Sequence, residues 1–154
     1  MDDVTILAIS NQLYCKLVVN DLLKEKFKNV SPDRYNMMMF HVFSVILDRD
    51  GHEIDHVVQI VKSTHANVSI SAEEMKEWTE CLKDVMVECS VRDSLVSNIV
   101  RKLYLIYDSY VVDSLVDEIT EEISENKSTS YANKLTPGVL QKVNKLFSFL
   151  KTTS

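Results

Sequence analysis

Glycine and proline are scarce in this chain, with two of each among 154 residues. So few forced turns argue against the many short strands of a sandwich or barrel, which need frequent punctuation. Positive charge is also in deficit: 17 Lys and Arg stand against 23 Asp and Glu, for a net charge of -6. That balance removes any general electrostatic reason to bind nucleic acid. Long hydrophobic runs are missing as well, since no apolar stretch approaches the roughly 20 residues of a membrane span. The chain opens on Met1-Asp2-Asp3 without the basic region of a secretory leader. These absences predict a soluble, cytoplasmic protein with no membrane span and no nucleic-acid partner.

What is plentiful is Leu, Val, Ile, Met, Lys and Glu, the composition of long helices. A chain of this length buries roughly 70% of its unfolded surface, enough for one core with room for a cofactor. Three cysteines, Cys15, Cys81 and Cys89, are an odd number. The last two lie about 12 Å apart along a common helix, too far to bridge. Reduced, buried thiols are expected, and no Cys/His zinc spacing occurs.

Apolar positions Ile6, Leu7, Ile9, Leu13 and Leu17 recur at helical spacing and predict a helix over 4–19, followed by a bend at Asn20-Asp21 and a short helix through Leu23 and Phe27. Ser31-Pro32 predicts the start of a third helix, because Ser caps free amides and Pro at the first helical position gives up an amide without a partner. That helix should reach Leu47 and break at the DRDGH of 48–52, which holds Gly51. From Ile54 the positions Ile54, Val57, Val58 and Val61 form one face, and His65 falls four residues further along it. Ser71 to Glu74 reads as a capping box opening a helix with the stripe Met75, Trp78, Leu82, Val85 and Cys89. A longer pattern runs from Val91 to Ile123, with a bend expected near Tyr107 to Tyr110. The polar SENKSTSYANK of 124–134 reads as a linker before Thr136-Pro137 opens a last amphipathic helix.

Chemistry-bearing residues are few. One inward-facing imidazole, His65, accompanies the apolar and aromatic set Phe27, Val42, Phe43 and Val61 and the polar aromatics Tyr14, Tyr35 and Trp78, which are the ingredients a haem pocket takes from a helical protein. Each also has a plainer reading: His65 as a helix-end surface residue, the two tyrosines as half-buried core, and Phe27, Val42, Phe43 and Trp78 as ordinary packing. The Met37-Met38-Met39 run reads as gap-filling, with Met39 as a sixth iron ligand the alternative. His52 and His56, i and i+4, are either loop residues or a metal pair.

Order and spacing add a resemblance. Leu13-Tyr14 in the first helix, Asp21-Leu22 at the bend and Phe27 thirteen residues after the Tyr are followed by Tyr35, Met39, Val42 and Phe43, and then by HANVSISAEEMKEW from His65 to Trp78. Over residues 6 to 107 this resembles the truncated haemoglobin family, nearest its groups with a distal-pocket Trp. The resemblance implies an all-α, globin-like 2-over-2 helical sandwich over 1–125, with a linker and extra C-terminal amphipathic helix over 126–154. It implies haem b, with His65 as proximal iron ligand and Phe27, Tyr35, Met39, Val42, Phe43, Val61, Lys62 and Trp78 around the ring. Tyr14 and Trp78 would be distal donors to a diatomic gas (O2, NO or CO), with Tyr35 a third hydroxyl or a gate. The family's Gly-Gly pairs are absent here and its propionate-binding cations are not at their usual places; Lys62 and Arg34 are the candidates for that role, each also readable as a solvated helix residue.

Downstream uses left open are gas binding, sensing, and a nitric oxide dioxygenase-type or peroxidase-type activity. The competing class is a haem-free helical interaction or regulatory module. The acidic block Asp113 to Glu125 and the later Lys127, Lys134, Lys142, Lys145 and Lys151 suggest folding back on one another, or a homodimer through the long helix or the C-terminal helix.

Overall fold

A computed structural model describes residues 1–47, 54–66, 69–126 and 137–153, with the side chains of 125, 126, 152 and 153 excepted. Seven helices occur among them: α1 (Asp3–Leu17), α2 (Lys24–Phe27), α3 (Pro32–Ile46), α4 (Ile54–Thr64), α5 (Ala72–Glu88), α6 (Asp93–Asn126) and α7 (Pro137–Thr153). No strand is present among the described residues, so the chain is all-helical as the composition predicts. The expected break at DRDGH, with Gly51 and His52, and most of the predicted linker with Thr136 fall outside the described residues.

Helix starts follow local chemistry. The Asp2 carboxylate caps α1 by accepting from the Thr5 amide at 2.8 Å, and the Ser31 hydroxyl caps α3 from the Arg34 amide at 3.2 Å. At α5 the reciprocal box is complete: the Glu74 amide donates to the Ser71 hydroxyl at 3.1 Å, and the Ser71 amide to the Glu74 carboxylate at 3.0 Å. The end of α5 is where the shortage of glycine shows. The Val91 amide reaches back to the Met86 carbonyl and the Ser90 amide to that of Val87, both at 3.0 Å, closing the turn that reverses the chain into α6. This turn puts Ser90 in the left-handed region at φ 60°, a position usually taken by Gly. At the far end of α3 the Lys102 ammonium donates to the Ile46 carbonyl at 2.7 Å, placing a cation at the helix C-terminus.

The chain divides into two compact units, Met1–Ile106 and Tyr107–Ser154, with the division inside α6. In the first, α1 lies against both α3 and α5, and α4 packs on α3. Ile6, Ile9, Leu13 and Leu17 form a fully buried stripe on α1, facing a core completed by Tyr35, Met39, Phe43 and Ile46 of α3 and by Leu82, Val85 and Met86 of α5. Val96, Ile99 and Leu103 add the buried face of the first half of α6. Buried hydroxyls take the carbonyl four residues back, as with Ser10 to Ile6 and Thr79 to Met75. In the second unit Tyr107, Tyr110, Leu115 and Val139 are buried, and Lys142 reaches Glu122 at 2.9 Å and Glu118 at 4.0 Å. Lys142 of the basic block thus meets the acidic block within this unit.

The pattern expected from Val91 to Ile123 is a single helix of 34 residues, Asp93–Asn126. One expectation needs adjustment. The three cysteines are free thiols as expected, but they are not buried: Cys15 is exposed, and Cys81 and Cys89 are half-buried. Cys15 misleads because it follows Leu13-Tyr14 in a helix whose inward stripe is already filled by positions 6, 9, 13 and 17. No helix of the described residues is long and apolar enough to cross a membrane.

Candidate functional site

Four aromatic residues far apart in sequence come together where α1, α3 and α5 meet. The Ser31 cap and Pro32 fix the start of α3, so that Tyr35 occupies its first turn and points inward with only 1% of its surface exposed. The Phe27 ring meets the Tyr35 ring edge-on, with centroids 5.6 Å apart and planes at 84°. Tyr14 lies on another side at 5.7 Å, tilted by 46°. From α5 the Trp78 indole N–H donates to the Tyr35 hydroxyl oxygen at 3.2 Å. Such tilted and edge-on contacts suit the ring quadrupoles and hold Tyr35 in one orientation.

The hydroxyls in this cluster are not equivalent. Tyr14 donates to the Val30 carbonyl at 2.6 Å, tying α1 to the turn just before α3. Tyr35 accepts from Trp78, and its own proton has no acceptor among the described residues. Burial pushes the Tyr35 phenol well above the usual tyrosine value, with the Trp78 hydrogen bond pulling the other way. Tyr35 therefore stays a neutral O–H donor throughout the physiological range.

Continuing along α3, Met39, Val42 and Phe43 follow Tyr35 at intervals of four and seven to eight residues and are all buried. They make an apolar wall beneath the polar aromatic cluster. On α4, Val57 and Val58 are buried, while Ile54, Val61 and Lys62 are half-buried. His65 is half-buried one residue past the end of this helix, and its amide still donates to the Val61 carbonyl at 3.0 Å. The same carbonyl lies 2.8 Å from His65 Nδ1. A carbonyl only accepts, so Nδ1 is the donor in this contact, which orients the ring.

The sequence-predicted residues thus form two groups: Tyr14, Phe27, Tyr35 and Trp78 with the α3 wall of Met39, Val42 and Phe43, and Val61, Lys62 and His65 on α4, the helix that packs on α3. Arg34 is exposed in the first turn of α3 and Lys62 is half-buried in the last turn of α4. Several contacts have no sequence signal. Lys26 donates to the Ser69 carbonyl at 2.6 Å and pairs with Glu74, anchoring the segment that leads into α5. Asn20 donates to Glu77 at 2.8 Å and Lys16 pairs with Glu88 at 3.0 Å, stitching α1 and the following bend to α5. His56, paired in the sequence reading with His52, instead has its ring against His41 of α3, centroids 5.7 Å apart. No group of three metal-ligating side chains occurs among the described residues.

These donors can be tested against haem as a set. An imidazole tied to a carbonyl through Nδ1, an apolar helix face and a buried phenol are the residue types that an axial ligand, a ring-binding wall and a polar donor draw on. By residue type the set suits the group. Comparison with known protein families, with curated proteins and with solved structures finds no match to this chain.

Proposed function

We propose that this chain is a haem-binding globin of the truncated, 2-over-2 type that binds diatomic gas ligands. The observation that carries the reading is the gathering of Tyr14, Phe27, Tyr35 and Trp78, far apart in sequence, into one cluster beside the buried Met39, Val42 and Phe43 of α3, with His65 at the end of α4 as the proposed iron ligand. Phe27, Met39, Val42, Phe43 and Val61 would hold the macrocycle by apolar contact, with Lys62 near enough to the end of α4 to meet a propionate. Haem b supplies, when bound, a ferrous iron with affinity for O2, NO and CO.

The chain's own contributions follow from its geometry. His65 is oriented by α4 and by the Val61 carbonyl, so it binds without paying for ring reorientation. The buried Met39, Val42 and Phe43 exclude water. Of the polar aromatics at the start of α3 and on α5, Tyr35 keeps an O–H while the Trp78 N–H is given to its oxygen. A haem-free helical interaction module remains the second reading, favoured by the large apolar residues that α7 leaves exposed, Leu140, Phe147 and Leu150.

Absorption spectroscopy separates the two. The full chain mixed with haemin and reduced is expected to give a Soret band that shifts with carbon monoxide, and His65→Ala is expected to abolish or displace it. A spectrum identical to free haemin in the parent chain would overturn the haem reading.

A further inference from the structure

In the second unit the end of α6 and α7 form a hairpin that leaves apolar side chains outside its own contact. Glu122 lies against Gly138 and reaches Lys142 at 2.9 Å, and Lys142 approaches Glu118 at 4.0 Å, so α7 runs antiparallel to α6. Val112, Val116, Ile119 and Ile123 on α6 recur at alternating intervals of three and four residues, and so do Leu140, Val143, Phe147 and Leu150 on α7. That is the spacing of a helix-packing seam. Val116, Ile123, Leu140 and Phe147 are each between 39% and 59% exposed, and Val112, Ile119 and Val143 are half-buried. Each seam lies about a third of a turn round its helix from the residues that join the hairpin, in the direction of rising residue number. Antiparallel helices reverse that sense as seen from one end, so both seams come to the same side. They make a two-helix apolar face of the kind that marks an interaction surface.

Charge decides what covers it. From Leu103 to Asn126, α6 has no Lys or Arg and presents Asp117, Glu118 and Glu121 at its surface. Over Pro137–Thr153, α7 has no Asp or Glu and presents Lys145 and Lys151. A face that is acidic along one helix and basic along the other complements itself under a two-fold axis parallel to the helices, which sets each α6 beside the α7 of a second copy. The perpendicular two-fold stacks α6 on α6 and is opposed by like charges. An anionic membrane suits α7 alone, because the acidic helix borders the same face and is repelled. We infer that this face pairs with the same face of a second copy, building a four-helix bundle from two hairpins. The seams offer eight side chains a copy where a standard interface uses roughly 20–30 residues. Association is therefore weak, with a Kd of about 10–100 µM, and the chain is a monomer at the lower concentrations of optical unfolding.

Nothing in this inference uses the first unit, so it stands apart from the haem reading. Sedimentation velocity on the full chain without added haem, from about 5 to 500 µM, tests it. The parent is expected to pass from monomer to dimer across that range. Phe147→Glu and Val116→Glu, both at exposed positions, are each expected to weaken the dimer at least about tenfold while leaving the helical circular dichroism unchanged. Lys145→Glu combined with Lys151→Glu is expected to weaken it more than Lys28→Glu combined with Lys76→Glu, which changes the net charge equally but on the first unit. A parent that stays monomeric throughout overturns the inference, whether or not it binds phosphatidylserine vesicles. A dimer left intact by both Phe147→Glu and Val116→Glu, or weakened equally by the two lysine pairs, overturns it as well.

Discussion

The two compact units are built from the same kinds of residues but held together by different means. In Met1–Ile106 the stability is non-local: α1, α3, α5 and the first half of α6 bury a continuous set of large side chains, and their ends are closed by Asp2, Ser31, Ser71 and Lys102. In Tyr107–Ser154 the described core is short, Tyr107, Tyr110, Leu115 and Val139, and a half-buried ion pair between Lys142 and Glu122 contributes beside it. Burial of apolar area dominates stability, and ion pairs open in part to solvent contribute little.

The sharpest way to break this contrast is the same substitution in both units. Leu13 is fully buried on α1, whereas Leu140 on α7 is 47% exposed. Leu13→Ala is expected to destabilise the chain by about 2–5 kcal/mol through lost burial and a residual cavity. Leu140→Ala is expected to change stability by no more than about 0.5 kcal/mol. Urea denaturation followed by circular dichroism measures both, and equal losses would mean that the two units share one core.

A smaller effect of opposite sign is expected at Ser90. Its left-handed backbone closes the turn after α5, where a Cβ is disfavoured. Ser90→Gly relieves that strain but loosens the unfolded chain, so the expected gain is about 0.5–1 kcal/mol. The melting temperature should rise, and a fall would show that the Ser90 side chain makes a compensating contact.

Legibility in the sequence followed the range of the interaction. Caps at Ser31 and Ser71 were readable because donor and acceptor lie three residues apart, and the stripes of α1 and α5 because burial repeats at helical spacing. The company kept by Tyr14, Phe27, Tyr35 and Trp78 was legible only as residue types suited to one pocket. Which proton goes where was not, because the Val30 carbonyl and the Trp78 indole lie 16 and 43 residues from their partners. Ser90 was missed for a related reason: a left-handed C-cap usually announces itself with Gly, and this chain has almost none to spend there. Lys26 carries no local signal for its bond to Ser69, since only the packed core brings α2 beside the start of α5.

Protonation offers the finest test of the contrast, because the two units should fail at opposite ends of the pH scale. In the first unit, burial raises the Glu74 pKa, but the hydrogen bonds from Lys26 and Ser71 outweigh it and hold the carboxylate below its usual value of 4.5. A group depressed by folding contributes stability that is present above its unfolded value and lost as pH falls through the folded one. In the second unit the Lys142 ammonium is raised above its usual 10.5, chiefly by the hydrogen bond to Glu122. A raised group contributes stability that is complete below its unfolded value and lost as pH rises through the folded one. Glu74→Gln keeps the capping hydrogen bond, since Gln also serves in the box, but removes the charge that faces Lys26. It is expected to flatten the loss of stability below about pH 4.5 and leave the alkaline limb unchanged. Lys142→Met is expected to act only on the alkaline limb, and weakly, because its pair is half-exposed and partly screened by salt. Melting temperatures across the pH range, at low and high salt, measure both. If Glu74→Gln leaves the acid limb as steep as in the parent, the Lys26 to Glu74 anchor is not what holds α5 to the core.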